Sequence, residues 1–203
     1  MQLQSAFLFL SALAVTTASP LGRRCDSTGV TYVLPSTGGP TSLPAPDLPL
    51  QHILVGHGVQ NYTCATTGVA GTSVGALAVL YDVTSLYPGS GPGSLSSAKW
   101  SALTSKVLHT TSLPIQTASP ASPFPPPANL SVTGISKPLP FIGHHFFDLN
   151  GVPTFSLNDD AELFKGMKVL NIPAPADADQ GLSGEGAVDW LYLSDKGGSV
   201  GHL

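Results

Sequence analysis

From Ile53 to Cys64 the chain runs Ile-Leu-Val-Gly-His-Gly-Val-Gln-Asn-Tyr-Thr-Cys, an apolar stretch passing into alternating polar positions, which predicts a first β-strand. A second strand is expected over Gly75–Thr84. There Leu77, Val79, Tyr81 and Val83 share one face and Ala76, Ala78 and Leu80 the other, so the strand should be central in its sheet. The period then changes. Leu95, Ala102, Leu103 and Val107 fall on one stripe of a helix running from an N-cap at Ser94 to about His109. Phe141–Leu157 returns to strand patterning around Asn150-Gly151, a two-residue hairpin signal. Counting outward pairs Leu149 with Val152, Phe147 with Thr154, Phe146 with Phe155 and His145 with Ser156, with Pro153 marking an edge or bulged strand. Asp159 and Glu162 have the spacing of a capping box for one helical turn around Leu163. Met167–Ile172 and Gly186–Ser194 are the last expected strands.

The connections are long and poor in charge. The chain has 22 Gly, 19 Pro and only 10% charged residues, with a net charge of −4. That composition disfavours long solvent-facing helices, and the absence of a basic cluster disfavours nucleic acid as a partner. Ala6–Val15 followed by Thr16-Thr17-Ala18 reads as a secretory leader, 1–18, cleaved after Ala18. The run is too short to span a bilayer, and no later run approaches that length. Arg23-Arg24 is either a dibasic processing site or two exposed arginines. Residues 19–50 read as an extended Pro-rich arm, with at most a short strand at Val30–Leu34. Residues 51–203 read as one β-rich domain carrying an insertion at 85–134, within which 112–128 is a Ser/Pro-rich surface loop. The fold expected is mainly β, a single-domain sandwich or distorted barrel with one inserted helix and long Pro/Ser-rich loops.

A secreted chain with Cys25 and Cys64 is expected to pair them. Asn61-Tyr62-Thr63 and Asn129-Leu130-Ser131 are glycosylation sequons. A glycan on Asn61 would turn that strand face outward, taking Val59 and His57 with it and sending Tyr62 and Cys64 inward, unless Gly56 or Gly58 hosts a bulge.

Candidate chemistry is sparse. Gly71-Thr72-Ser73-Val74-Gly75 matches the nucleophile-elbow pattern, which would make Ser73 the nucleophile of a small esterase. The residues that follow read as strand rather than helix, and Gly197-Gly198-Ser199-Val200-Gly201 matches the same pattern in a tail. Gly89-Ser90-Gly91-Pro92-Gly93-Ser94 is a poor dinucleotide loop: Pro92 interrupts it, and no acid lies between Asp82 and Asp148 to hold a ribose. His144 and Asp148 share a strand face and His57 is a third candidate, but two or three such residues do not complete a metal set, and no metal or cofactor is expected. Trp190, Tyr192 and Phe146 are either core or a carbohydrate-stacking surface.

The segments 55–64, Ala78-Val79-Leu80-Tyr81-Asp82, Gly143-His144-His145-Phe146-Phe147 and Gly186-Ala187-Val188-Asp189-Trp190-Leu191-Tyr192-Leu193 together resemble a secreted family of filamentous fungi and bacteria known only as a domain of unknown function. The resemblance runs from about residue 30 to the end. It implies no agreed catalytic residues. Fungal members are often labelled malate dehydrogenase, and the sequence does not support that label, lacking a dinucleotide fingerprint and α/β alternation. Relatives continue past the Trp-Leu-Tyr-Leu strand into a further strand ending in cysteine. The resemblance therefore leaves open whether Cys64 pairs with Cys25 or with that missing residue, and implies an open edge at 187–193. The function expected is that of a secreted, extracellular or cell-wall protein without catalysis, binding cell-wall glycan or another surface component. His57, His144, Asp148 and Trp190 are its candidate ligand-binding residues, and a Ser73 hydrolase is the alternative.

Overall fold

The computed structural model describes residues 30–36, 39, 41–69, 71–116, 119, 121–182, 184, 187 and 189–198. The leader 1–18, Arg23-Arg24, Cys25, and Gly186 and Val188 of the last expected strand lie outside the described residues. The arm from Val30 onward is extended and contains no strand among them.

The protein is mainly β. Strands β1 (Leu54–Thr63), β2 (Thr72–Asp82), β3 (Phe141–Phe147), β4 (Pro153–Leu157), β5 (Glu162–Ile172) and β6 (Trp190–Asp195) form one antiparallel sheet in the order β1-β2-β3-β4-β5-β6. The sheet is open, with β1 and β6 at its edges, so it is neither the sandwich nor the barrel expected from the sequence. The reason lies in what covers it. The segment joining β2 to β3 folds over one face as a cap carrying α1 (Ser97–Ser101) and α2 (Leu103–Thr110). Among the described residues the main core cluster has ten buried members, and seven come from this connection: Val83, Leu86, Leu103, Val107, Ile115, Val132 and Leu139. Only Val55, Val79 and Tyr81 are from the sheet, so the cap occupies the place a second sheet would take. The opposite face carries, among the described residues, a small buried cluster of Leu80, Ile142 and Leu157. β2, apolar on both faces, contributes to both clusters and is interior, as its pattern requires.

Several local expectations are corrected. The helix is capped by Ser96, whose hydroxyl accepts from the Lys99 amide, not by Ser94, and it breaks at Ala102 into two pieces. The β3–β4 register is one residue off the two-residue count: His145 pairs with Phe155, His144 with Ser156 and Phe147 with Pro153. Asp148 causes the shift. Its carboxylate accepts from the amides of Asn150 and Val152, and its own amide donates to the Val152 carbonyl, so the turn is a three-residue loop with Gly151 at φ 72°. Pro153 is the first residue of an interior strand, where its missing N–H breaks no ladder, rather than on an edge or bulge. Asn158, Asp159 and Asp160 all adopt left-handed φ (51°, 55° and 65°), making the β4–β5 turn and not a capped helical turn. β5 begins at Glu162, well before Met167. The Ser/Pro-rich segment is not purely surface: Ile115 is buried and Phe124 packs against the core.

Candidate functional site

Pairing across the sheet places His57, Val79 and His144 in one row on the capped face. His57 is buried, which corrects the outward placement derived from Asn61. The β1–β2 register runs unbroken from Leu54 to Asn61 and shifts only beyond it, between Asn61 and Tyr62, so His57 and Asn61 do share a face; the cap covers that face at His57 and leaves it bare at Asn61. Toward its tip the β1–β2 hairpin projects past the core, so Asn61, Tyr62 and Cys64 are all exposed and the inward placement of Tyr62 and Cys64 is corrected too. Cys64 has no disulfide partner among the described residues.

The two histidines are held beneath the cap. The Thr111 hydroxyl donates to the Val107 carbonyl at 2.7 Å, so the 3.2 Å contact to His57 Nδ1 requires the ring N–H to donate to Thr111 Oγ1. His144 lies between Phe124 (centroids 4.1 Å apart) and Phe141 (5.2 Å), and its Nε2 is buried without a hydrogen-bond partner. On the opposite face His145 stacks on Phe155 at 4.2 Å and donates from Nδ1 to the Thr154 carbonyl. Desolvation lowers the pKa of all three; nearby Asp160 opposes the shift at His144 and the Thr154 carbonyl opposes it at His145. Asp148 does not join the histidines. It sits in the β3–β4 turn paired with Lys165 Nζ at 2.8 Å. That hydrogen bond, with those from the Val152 and Asn150 amides, lowers its pKa to about 2. No group of three or more His, Cys, Asp or Glu residues among those described is arranged to hold a metal ion.

These shifts fix the sign of the pH response. A histidine whose folded pKa is depressed favours the native state above its unfolded value near 6.5, and that contribution is lost as pH falls from 6.5 to the folded value. Asp148 acts lower, between its ordinary 3.8 and about 2. The melting temperature is therefore expected to fall in two stages on acidification, and Asp148→Asn should flatten the second. Asp179, also depressed by its hydrogen bonds to Ser105, Gly181 and His109, maintains the slope that remains. Melts that do not change between pH 7 and 5 would contradict the buried-histidine account.

Ser73 lies within β2, exposed, and its hydroxyl accepts from the Gln60 amide. The strand continues to Asp82, so the sharp strand-to-helix turn that an elbow serine needs is not formed there. A contact that sequence gave no reason to suspect is made by His52, whose Nδ1 lies 3.0 Å from Asp82 Oδ2 and Nε2 3.1 Å from Glu162 Oε2. One ring thus ties β2 to β5, strands that are not neighbours. Partners 30 and 110 residues away leave no spacing signal.

Trp190, by contrast, lines a groove. It opens β6 opposite Ile172, and the extended arm runs alongside. Together with Tyr32, Leu34 and Pro46 they line a mainly apolar groove of about 640 Å³. The arm is pinned in place. Tyr32 packs on Tyr87 at 4.8 Å, Tyr87 meets Trp100 edge-on at 5.3 Å, and the Tyr87 hydroxyl accepts from the Val33 amide at 3.2 Å.

Residues 44–203 match the model of a family described as a protein of unknown function, DUF3455. The chain belongs to the DUF3455 family. This agrees with the resemblance drawn from its strand motifs. No curated protein and no solved structure matches this DUF3455 chain. Among its described residues no helix is long and apolar enough to cross a membrane.

Proposed function

We propose that this DUF3455 protein is a secreted, extracellular or cell-wall-associated binding protein without catalytic activity, and that the groove between its Pro-rich arm and β6 takes a glycan. The groove of about 640 Å³ with Trp190 and Tyr32 in its lining carries this reading. A pyranose ring has an apolar C–H face that stacks on an indole or phenol, and a mainly apolar groove of this volume has room for such rings. The leader-like N-terminus and the exposed side chains of Asn61 and Asn129 support an extracellular setting. The partial exposure of Trp190 supports a binding role over a core one, and the separation of Asp148, held by Lys165 in the β3–β4 turn, from the buried row of His57 and His144 supports the absence of catalysis.

Retention on insoluble wall polysaccharides (β-glucan, chitin, cellulose) tests it, followed by fluorescence titration with the soluble oligosaccharide. The wild type is expected to be retained on at least one. Trp190→Ala should weaken binding about tenfold, matching the roughly 1.5 kcal/mol that burying an aromatic ring supplies. Tyr32→Ala should lose less, because that ring also packs on Tyr87. No retention of the folded wild type, or equal retention of Trp190→Ala, sinks the proposal.

A further inference from the structure

Residues 83–147, which contain the cap, carry Lys99, Lys106 and Lys137 and not one Asp or Glu, in a chain of net charge −4. The chain has thus separated its charges, and the cap is its basic part. Asp179 reaches the cap from elsewhere, but at Ser105 and His109 near the C-terminal end of α2. Lys99 and Lys137, neither of them in contact with Asp179, border a second groove of about 360 Å³, with Leu86, Leu95 and Ile135 along it and Ser94 and Ser136 beside them. Neither lysine has an ion-pair partner among the described residues. A Cβ added at Gly93 would meet only the Lys137 ammonium, 4.0 Å away, so the loop backbone is bare beneath that charge. The Gly/Ser loop that forms the wall is preformed. The Ser90 amide donates to Tyr87 at 3.0 Å, Ser94 to Gly91 at 3.0 Å and Leu95 to Leu86 at 2.9 Å.

From this we infer a second binding site, one for a single acidic sugar: the anionic group lies between Lys99 and Lys137, the apolar ring face on Leu86, Leu95 and Ile135, and the hydroxyls against Ser94 and Ser136. Two cations alone would take any anion, and three aliphatic side chains alone would take any apolar group. A carboxylated or phosphorylated pyranose presents both, and a cavity of about 360 Å³ is of single-ligand size. The carboxylate of a uronic acid and the phosphate of a sugar phosphate are the two sources of this chemistry. The site is independent of the Trp190 groove.

The test is an NMR titration of the isotope-labelled protein with galacturonate, a hexose phosphate and neutral glucose. Shifts at Gly93–Lys99 and Ile135–Lys137 are expected for one or both acids and not for glucose, and the preferred acid identifies the source. Lys99→Gln and Lys137→Gln should each weaken binding about tenfold, the usual range for a charge-assisted contact. Lys99→Arg should retain it, since charge and reach are kept. Lys168→Gln on β5 and Trp190→Ala should leave it unchanged, which separates this site from net charge and from the other groove. No shifts with either acid, equal shifts with glucose, or equal weakening by Lys168→Gln would overturn the inference. Thermal melts confirm that each variant is folded.

Discussion

Gly143→Ala should lower the melting temperature more than any other single-methyl addition to the β3–β4 hairpin. Gly143 lies in β3, paired with Leu80 on one side and Leu157 on the other, and is buried. A Cβ built there would lie 2.0 Å from the Ser156 carbonyl oxygen and 2.9 Å from the Leu157 Cα. Both are backbone atoms of the neighbouring strand, so no rotamer change relieves the overlap. The strands must part, and the β3–β4 ladder is lost locally with the packing of Leu80 and Leu157. A cost of about 3 kcal/mol or more is expected, at the upper end for overpacking. In a domain of this size that lowers the melting temperature by about 6–12 °C. Gly56→Ala is the control. Its Cβ would meet only the Leu80 and Ala78 side chains, at 3.4 and 3.6 Å, so its melt should stay within a few degrees of wild type, in keeping with a cost below about 1 kcal/mol. If circular dichroism melts show equal shifts for the two variants, the close approach at Gly143 is not real.

Leu139→Ala is expected to have the second-largest effect, acting through the cap. Leu139 is fully buried, and its backbone forms a two-way bridge with Leu130, at 2.9 and 2.8 Å, just before the chain enters β3. Removing the side chain costs the transfer of its methyl groups and leaves a cavity among Val83, Leu103, Val107 and Val132, residues of the same cluster. A loss of about 3 kcal/mol is expected from the range for Leu→Ala at fully buried sites. Because the cap supplies most of that cluster, the damage should not stay local. Cleavage within the Ser/Pro-rich segment 112–128 should accelerate, as the anchors at Ile115 and Phe124 loosen. A small shift in melting temperature with unchanged proteolysis would mean that the sheet is stable without its cap.

The strands were legible because their apolar positions repeat every two residues. β1 and β2 appear within a few residues of where the pattern puts them, and β2's two apolar faces correctly predict an interior strand. What sequence missed has three physical sources. Side-chain hydrogen bonds override turn propensity: Asp148 rebuilt an Asn-Gly hairpin and shifted its register by one residue. Alternation gives the side of a sheet but not what covers it: Asn61 and His57 share a face that is bare near the hairpin tip and capped at His57. Long-range partners leave no local trace, as with His52, Asp82 and Glu162, or with the arm that meets Trp190. The second layer was misjudged for a related reason. Ile115, Val132 and Leu139 lie in loops without period, so nothing in the pattern marked the β2–β3 connection as half of the core. Trp190 was identifiable as a stacking residue from its type. Its groove was not, because the other wall comes from residues 32–46.

The strand order has a kinetic meaning as well. Every strand pairs with the one that precedes it in sequence, so no strand must be inserted between two already in place. A chain emerging N-terminus first can add β4 to β3, β5 to β4 and β6 to β5 as each appears, with short turns closing the first two junctions. One junction differs. Joining β3 to β2 requires closing the loop of residues 83–140, and that same loop buries the core that rewards the closure. Refolding is therefore expected to divide at that point: a fast β1–β2 hairpin, a slower closure of the cap, and then strands added on the template it completes.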